Sequence, residues 1–285
     1  MDHGAVTNLG AIFLPQNPPE RLRDVARAAD EAGLEQLWLW EDCFLNSGIA
    51  AASAALAWTT RLRVGIGILP APLRNVALTA MELATLHRMF GDRAIVGVGH
   101  GVQNWMAQVG VKPASPMTML REQATALRAL LRGETVSTEG RYVQLDGVRL
   151  DWPPAVAPPL IFGATGPKTL ALAGELGDGT ILVGGTSPDG VRAAIAHIAA
   201  PGPHEVILFL PAALGPTAAD RIARQQERYG MDHPGVAGDA AAVAAAIEPF
   251  VQAGVTTVIL QPTVDDPDPE AFVRAVATEV RPLVG

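Results

Sequence analysis

The sequence predicts an α/β protein of the (β/α)8 TIM-barrel class, on three observations. Eight short apolar runs alternate with helix-like stretches along the chain. The runs are apolar on both faces, as in a parallel sheet covered by helices. All eight units fit in 285 residues without a linker, a size at which α/β barrels run as one domain. The rival arrangement is an open doubly wound sheet; the unit count and the missing linker favour the barrel. One barrel domain over residues 1–285 is therefore expected.

The expected strands are VTNLGAIFL (6–14), EQLWLW (35–40), RLRVGIGIL (61–69) and RAIVGVG (93–99) in the first half. PPLIFGA (158–164), GTILVGG (179–185), HEVILFLP (204–211) and TTVILQP (256–262) follow. Apolar residues every three or four positions mark helices at 19–33, 75–91 and 115–133. Gly33, Gly91, Gly133 and Gly254 stand where helices should stop. Asp239 and Asp268 are start signals, the latter with Pro269 in its first turn. The segment 134–157 breaks the rhythm, alternates with period two around EGRY and DG turns, and reads as a hairpin-like excursion. No internal repeat and no low-complexity tail is visible.

Composition excludes several classes. No run approaches eighteen uncharged apolar residues, so no membrane span is expected. A net charge of −8 argues against a nucleic-acid partner. Cys43 is the single cysteine, which rules out an internal disulfide and suits a reducing cytoplasm. The N-terminal MDHGAVTNLG lacks a basic n-region, so a signal peptide is not expected. Two of the 21 basic residues are lysines, Lys112 and Lys168, a bias that fits a GC-rich genome.

In a barrel the chemistry sits at the C-terminal ends of the strands. The run IFGATGPKTLALAGELGDGTILVGG (161–185) carries two glycine-rich turns, each after an apolar run and each opening a helix. Bare backbone at a helix N-terminus accepts an anion closely. Gly163, Ala164, Thr165, Gly166, Pro167 and Lys168 form the first turn; Gly184, Gly185 and Thr186 form the second. The two would face each other across neighbouring strands as a phosphate cradle. The alternative is a helix capped by Thr165 with glycines serving only the turn. VGVGHGVQNW (96–105) fails the dinucleotide pattern, because Val102 stands where the third glycine belongs. Gly99, His100 and Gly101 could lie against a flat ligand, or form a tight turn with a structural histidine.

WLWEDCF (38–44) sets Glu41, Asp42 and Cys43 at one strand end. Close carboxylates can do acid–base work; equally, one of them could cap the next helix. No histidine stands near Cys43 in sequence to activate its thiol. His100 ranks first as proton donor because its ordinary pKa of about 6.5 lies near neutrality. Glu41 ranks second, Cys43 third, and Asp42 is rather an orienting group. No metal site and no nucleophile elbow is visible.

Together these strand ends resemble the bacterial-luciferase-like flavin- and F420-dependent oxidoreductases, in particular the methylenetetrahydromethanopterin reductase-like branch. The resemblance rests on Leu37–Phe44, Arg63–Asn75, Arg93–Gly101 and above all PLIFGATGPKTLALAGELGDG (159–179). It implies a barrel with an isoalloxazine-like ring at the strand ends and the cofactor's phosphate at the turns after strands five and six. Gly67 and Ile68 match a non-prolyl cis peptide bulge that supports the ring, and Gly99 to Gly101 match the turn beside it. Asp42 matches an acidic residue near the ring's pyrimidine end. Cys43 replaces the histidine, and Val102 the acidic proton donor, of sugar-phosphate dehydrogenases of this family. The implied function is hydride transfer between coenzyme F420 and a small organic substrate. An FMN-dependent monooxygenase and a non-catalytic flavin- or F420-binding protein are the alternatives. A homodimer packed through alanine-rich helices near 49–58 and 75–90 is implied as well.

Overall fold

The computed structural model describes residues 8–231 and 233–284. The N-terminal segment and the first two residues of the expected first strand lie outside the described residues. The strands are β1 (Asn8–Phe13), β2 (Gln36–Leu39), β3 (Arg63–Pro70), β4 (Ala94–Gly99), β5 (Val136–Glu139) and β6 (Gln144–Val148). They continue with β7 (Ile161–Gly163), β8 (Gly179–Leu182), β9 (Glu205–Leu214), β10 (Val236–Gly238) and β11 (Thr257–Pro262). The helices are α1 (Leu22–Ala32), α2 (Gly48–Trp58), α3 (Val76–Phe90), α4 (Gln103–Gln108) and α5 (Pro116–Leu131). After them come α6 (Pro167–Leu176), α7 (Pro188–Ile198), α8 (Ala218–Tyr229), α9 (Ala240–Gln252) and α10 (Pro269–Ala275).

Eight strands pair in parallel in the order β1, β2, β3, β4, β7, β8, β9, β11, and β11 returns to β1. The sheet is closed, so the barrel holds and the open-sheet rival falls. The two faces of each strand feed two separate cores. Ile12, Trp38, Ile95, Ile161, Ile181, Phe209 and Ile259 point inward and fill the barrel. Leu9, Leu37, Val64, Val96, Leu208 and Val258 point outward and pack under the helices. Trp38 is fully buried inside, and a Cβ at Gly65 would run into its ring.

The punctuation works as physical chemistry requires. Gly33 ends α1 in the left-handed region, at φ +80°. Asp239 accepts from the Ala242 N–H at the start of α9, and Asp268 from Glu270 and Ala271 at the start of α10. The expected excursion at 134–157 is the antiparallel β5–β6 hairpin. Glu122 of α5 pins its turn by accepting from the N–H groups of Arg141, Tyr142 and Val143. Several strand boundaries shift, and two of the shifts have a plain cause. β7 starts three residues late, because Pro158 and Pro159 have no N–H to give. β9 runs on to Leu214, because Ala212, Ala213 and Leu214 find partners in β10. Among the described residues no helix is long and apolar enough to cross a membrane.

Candidate functional site

A cavity of about 540 Å3 opens at the C-terminal mouth of the barrel. Its floor is Ile68. The Gly67–Ile68 peptide is cis, and the β3–β4 register shifts between Ile66 and Leu69. A second cis peptide joins Cys43 and Phe44. The Ile68 side chain fits because glycines surround it. A Cβ would come within 3.0 Å of it from Gly97, 3.2 Å from Gly99 and 2.8 Å from Gly163. Thus Gly99 and Gly163 answer a need for space, whereas Gly101 answers a need for positive φ, at +65°.

The end of β2 separates its two carboxylates. Glu41 lines the cavity, but both its oxygens are taken. Arg74 grips them through both guanidinium nitrogens, and the Gly48 N–H at the start of α2 donates to Oε2 at 2.8 Å. Arg74 is held in turn by Glu82 at 3.1 Å. Glu41 is therefore the helix-capping member of the pair, and the expectation that it acts as a proton donor is corrected. Asp42 also lines the cavity, and its carboxyl accepts no hydrogen bond from the described residues. Burial pushes its pKa above the ordinary carboxylate range. Cys43 lies outside the lining, and burial together with Glu41 and Asp42 raises its pKa. A raised pKa disfavours the thiolate, and Cys43 stands apart from the cavity wall.

His100 lines the cavity beside Gly99 and Gly101. Its Nε2 lies 3.1 Å from Thr169 Oγ1. The Thr169 hydroxyl also lies 3.5 Å from Met117 Sδ, and which of His100 Nε2 and Thr169 Oγ1 donates depends on the imidazole tautomer. Burial holds the imidazole below the ordinary histidine pKa, against the opposing pull of the Pro116 carbonyl. The lowered pKa disfavours the imidazolium, and His100 forms a wall of the site. Among the described residues seven buried side-chain nitrogen or oxygen atoms lack a partner. Three of them, Trp40 Nε1, His100 Nδ1 and Gln103 Oε1, belong to residues lining this one cavity. Trp40 stacks on Phe209, with centroids 6.1 Å apart.

The two glycine turns differ. In the first, Gly166 is the N-cap of α6, and no side chain caps the helix, so Thr165 does not serve. In the second, Ser187 caps α7 by accepting from Gly190 N–H at 3.1 Å, and Thr186 Oγ1 donates to the Val183 carbonyl. Between the turns lies a second cavity of about 560 Å3, lined by Pro167, Gly185 and Thr186 among others. It shares Ala164, Thr165, Val183 and Gly184 with the first. Gly166 and Lys168 line neither cavity, and Lys168 is exposed. Neither lining contains a lysine or arginine.

Gln103, Trp105, Ile181 and Phe209 also line the first cavity, and the sequence reading did not single them out. Period two was the available signal for Phe209 and Ile181, which face inward on their strands. Among the described residues no three histidine, cysteine, aspartate or glutamate side chains gather as a metal site.

A closed (β/α)8 barrel whose C-terminal mouth opens on a cleft floored by Ile68 among glycines is an architecture suited to holding a small molecule. Residues 3–247 match the luciferase-like monooxygenase family, and the chain belongs to that family. It is 32% identical over 192 residues to a 5,10-methylenetetrahydromethanopterin reductase of Methanolobus tindarius, covering 67% of this chain and 58% of that one. It is 31% identical over 201 residues to an F420-dependent glucose-6-phosphate dehydrogenase of Kineococcus radiotolerans, covering 66% and 59%. The matches thus span less than two thirds of these relatives' length. The fold is shared with the coenzyme F420-dependent tetrahydromethanopterin reductase of Methanopyrus kandleri at a TM-score of 0.84 and 23% identity, covering 98% of this chain and 99% of that one.

Proposed function

We propose that this chain is an oxidoreductase that moves a hydride between coenzyme F420 and a small organic substrate. One observation carries the reading: a cavity floored by Ile68 in a ring of glycines holds Trp40 Nε1 and Gln103 Oε1, unpartnered among the described residues, and runs on into a second cleft. A planar ring with a polar edge and an extended tail fits that set. Relatives named as F420-dependent support the choice of cofactor. Gly67, Ile68, Gly99, His100 and Gly101 would hold the ring. Ala164, Thr165, Gly166, Pro167, Gly184, Gly185 and Thr186 would hold the tail, with the exposed Lys168 at its outer edge.

When bound, a deazaflavin supplies the hydride chemistry. The protein's own tasks are orientation and the proton. Asp42 is the one lining carboxyl free of partners, and it gives its proton to the substrate heteroatom in the reducing direction. Arg74 and Glu41 fix the segment that carries it.

The test is a fluorescence titration with F420 and with FMN, followed by turnover. Tighter binding of F420, and no oxygen consumption with reduced FMN, is the expected result. Preference for FMN with oxygen uptake would establish the monooxygenase alternative; binding without turnover of any acceptor would leave a cofactor-binding protein. The single cysteine suits the cytoplasm. We also propose a C2 homodimer through α2 and α3, whose Leu78, Met81 and Met89 are exposed. A monomer mass in light scattering at micromolar concentration overturns it.

A further inference from the structure

We infer that the substrate side of this cavity selects an uncharged, largely apolar molecule and excludes anions. The inference rests on the oxidoreductase reading and adds the substrate class. No lysine or arginine is among the residues lining the first cavity. The charged residues in that lining are two carboxylates, Glu41 and Asp42. The cation nearest in the network, Arg74, is spent on Glu41 and Glu82 and is absent from the lining. At the mouth, Val102 and Trp105 of the α4 region add apolar surface, and Val102 is 47% exposed. The remaining polar groups there, Gln103 and Gln261 among them, are neutral.

An anionic substrate entering this cavity would lose water and gain no cation. Stripping a carboxylate or phosphate without a paired charge is strongly unfavourable, and an ionised Asp42 would repel it further. A neutral molecule meets no such barrier. Its carbonyl, imine or hydroxyl group can use the neutral amides and the Asp42 carboxyl, while its apolar flanks cover Val102 and Trp105.

The experiment uses matched pairs that share one ketone: methyl levulinate against levulinate, and methyl 4-oxocyclohexanecarboxylate against its free acid. Affinities are read by ligand-observed NMR on the F420-loaded protein and on the protein alone. Each ester should bind at least ten-fold more tightly than its acid. Val102→Lys, which adds a cation at an exposed lining position, should narrow that ratio ten-fold or more. Acids that bind as well as esters overturn the inference, as do esters that fail to bind at millimolar concentration. Failure of F420 itself to bind overturns the oxidoreductase reading instead, and the ester-to-acid ratio is still read on the protein alone.

Discussion

Trp38 and Trp40 stand two residues apart on one strand, both turned toward the barrel axis and both against Phe209. Lower in the barrel, Trp38 is fully buried and donates Nε1–H to Gln36 Oε1 at 2.8 Å. At the mouth, Trp40 Nε1 is buried and has no partner. The same contrast separates the two ends of the molecule. At the N-terminal end, Glu35 accepts from Leu9 N–H at 2.7 Å and from Arg281 Nε at 2.6 Å. There Glu205 accepts from Thr257 Oγ1, and Asp178 from Leu160 N–H. At the C-terminal end, the Asp42 carboxyl accepts no hydrogen bond from the described residues, and Gln103 Oε1 has no partner among them. The N-terminal end pairs these carboxylates and leaves Gln36 Nε2 and His204 Nδ1 scattered and unpartnered among the described residues; the mouth gathers three unpartnered atoms, Trp40 Nε1, His100 Nδ1 and Gln103 Oε1, around one cavity open to a ligand.

Substitutions at the two ends should therefore separate function from stability. The largest effect belongs to Asp42→Asn, which should lower turnover about 100-fold or more. In the reducing direction the carboxyl must carry its proton, so kcat/KM falls as pH rises through the raised Asp42 pKa, and the variant loses that limb. The stability sign is opposite. A raised folded pKa costs nothing below the ordinary value of about 3.9 and destabilises once pH exceeds the raised one. Asp42→Asn should thus leave Tm at neutral pH unchanged or higher. A lower Tm with turnover intact would erase the proposed division between the ends.

Next comes Glu35→Ala at the opposite end. It strands the buried Leu9 N–H and frees Arg281, and should cost about 1–3 kcal/mol in denaturant unfolding while kcat stays the same. A change in kcat there would couple the two ends. His100→Gln should alter kcat by less than about ten-fold, since burial lowers the imidazole pKa and its Nε2 lies against Thr169 Oγ1. A loss of about 100-fold, together with the alkaline limb of the pH profile, would return the proton to His100. The smallest effect is that of Lys168→Ala. An exposed cation contributes about 0.2–1 kcal/mol, so cofactor affinity should drop less than about five-fold and the effect should fade with salt. A larger, salt-resistant loss would mean that Lys168 closes over the second cleft.

Much of the site is legible as strand ends. Glycines at 67, 99, 163 and 184 mark where backbone must stay bare, and all four line the first cavity. Illegible in one dimension is which neighbour uses the bare space. At Gly97, Gly99 and Gly163 it is Ile68, brought from another strand. The difference between the two acids is illegible for the same reason. Glu41 and Asp42 are adjacent in sequence, yet Arg74, 33 residues away, claims one and leaves the other. The period-two pattern that carries Trp38 inward carries Trp40 and Phe209 inward as well, but says nothing about which of their polar atoms finds a partner.

Local terms settled the architecture in advance. Strands apolar on both faces, glycine stops and aspartate starts each act within a few residues, so the order of the chain is enough to call eight βα units and the end at which they open. Closure of the barrel, the pairing of Arg74 with Glu41, the burial that lowers the His100 pKa and the cation-free lining came only with the tertiary structure. Hydrogen bonds and desolvation depend on atoms a few ångströms apart in space, and the chain brings those atoms together from strands that its sequence lists far apart.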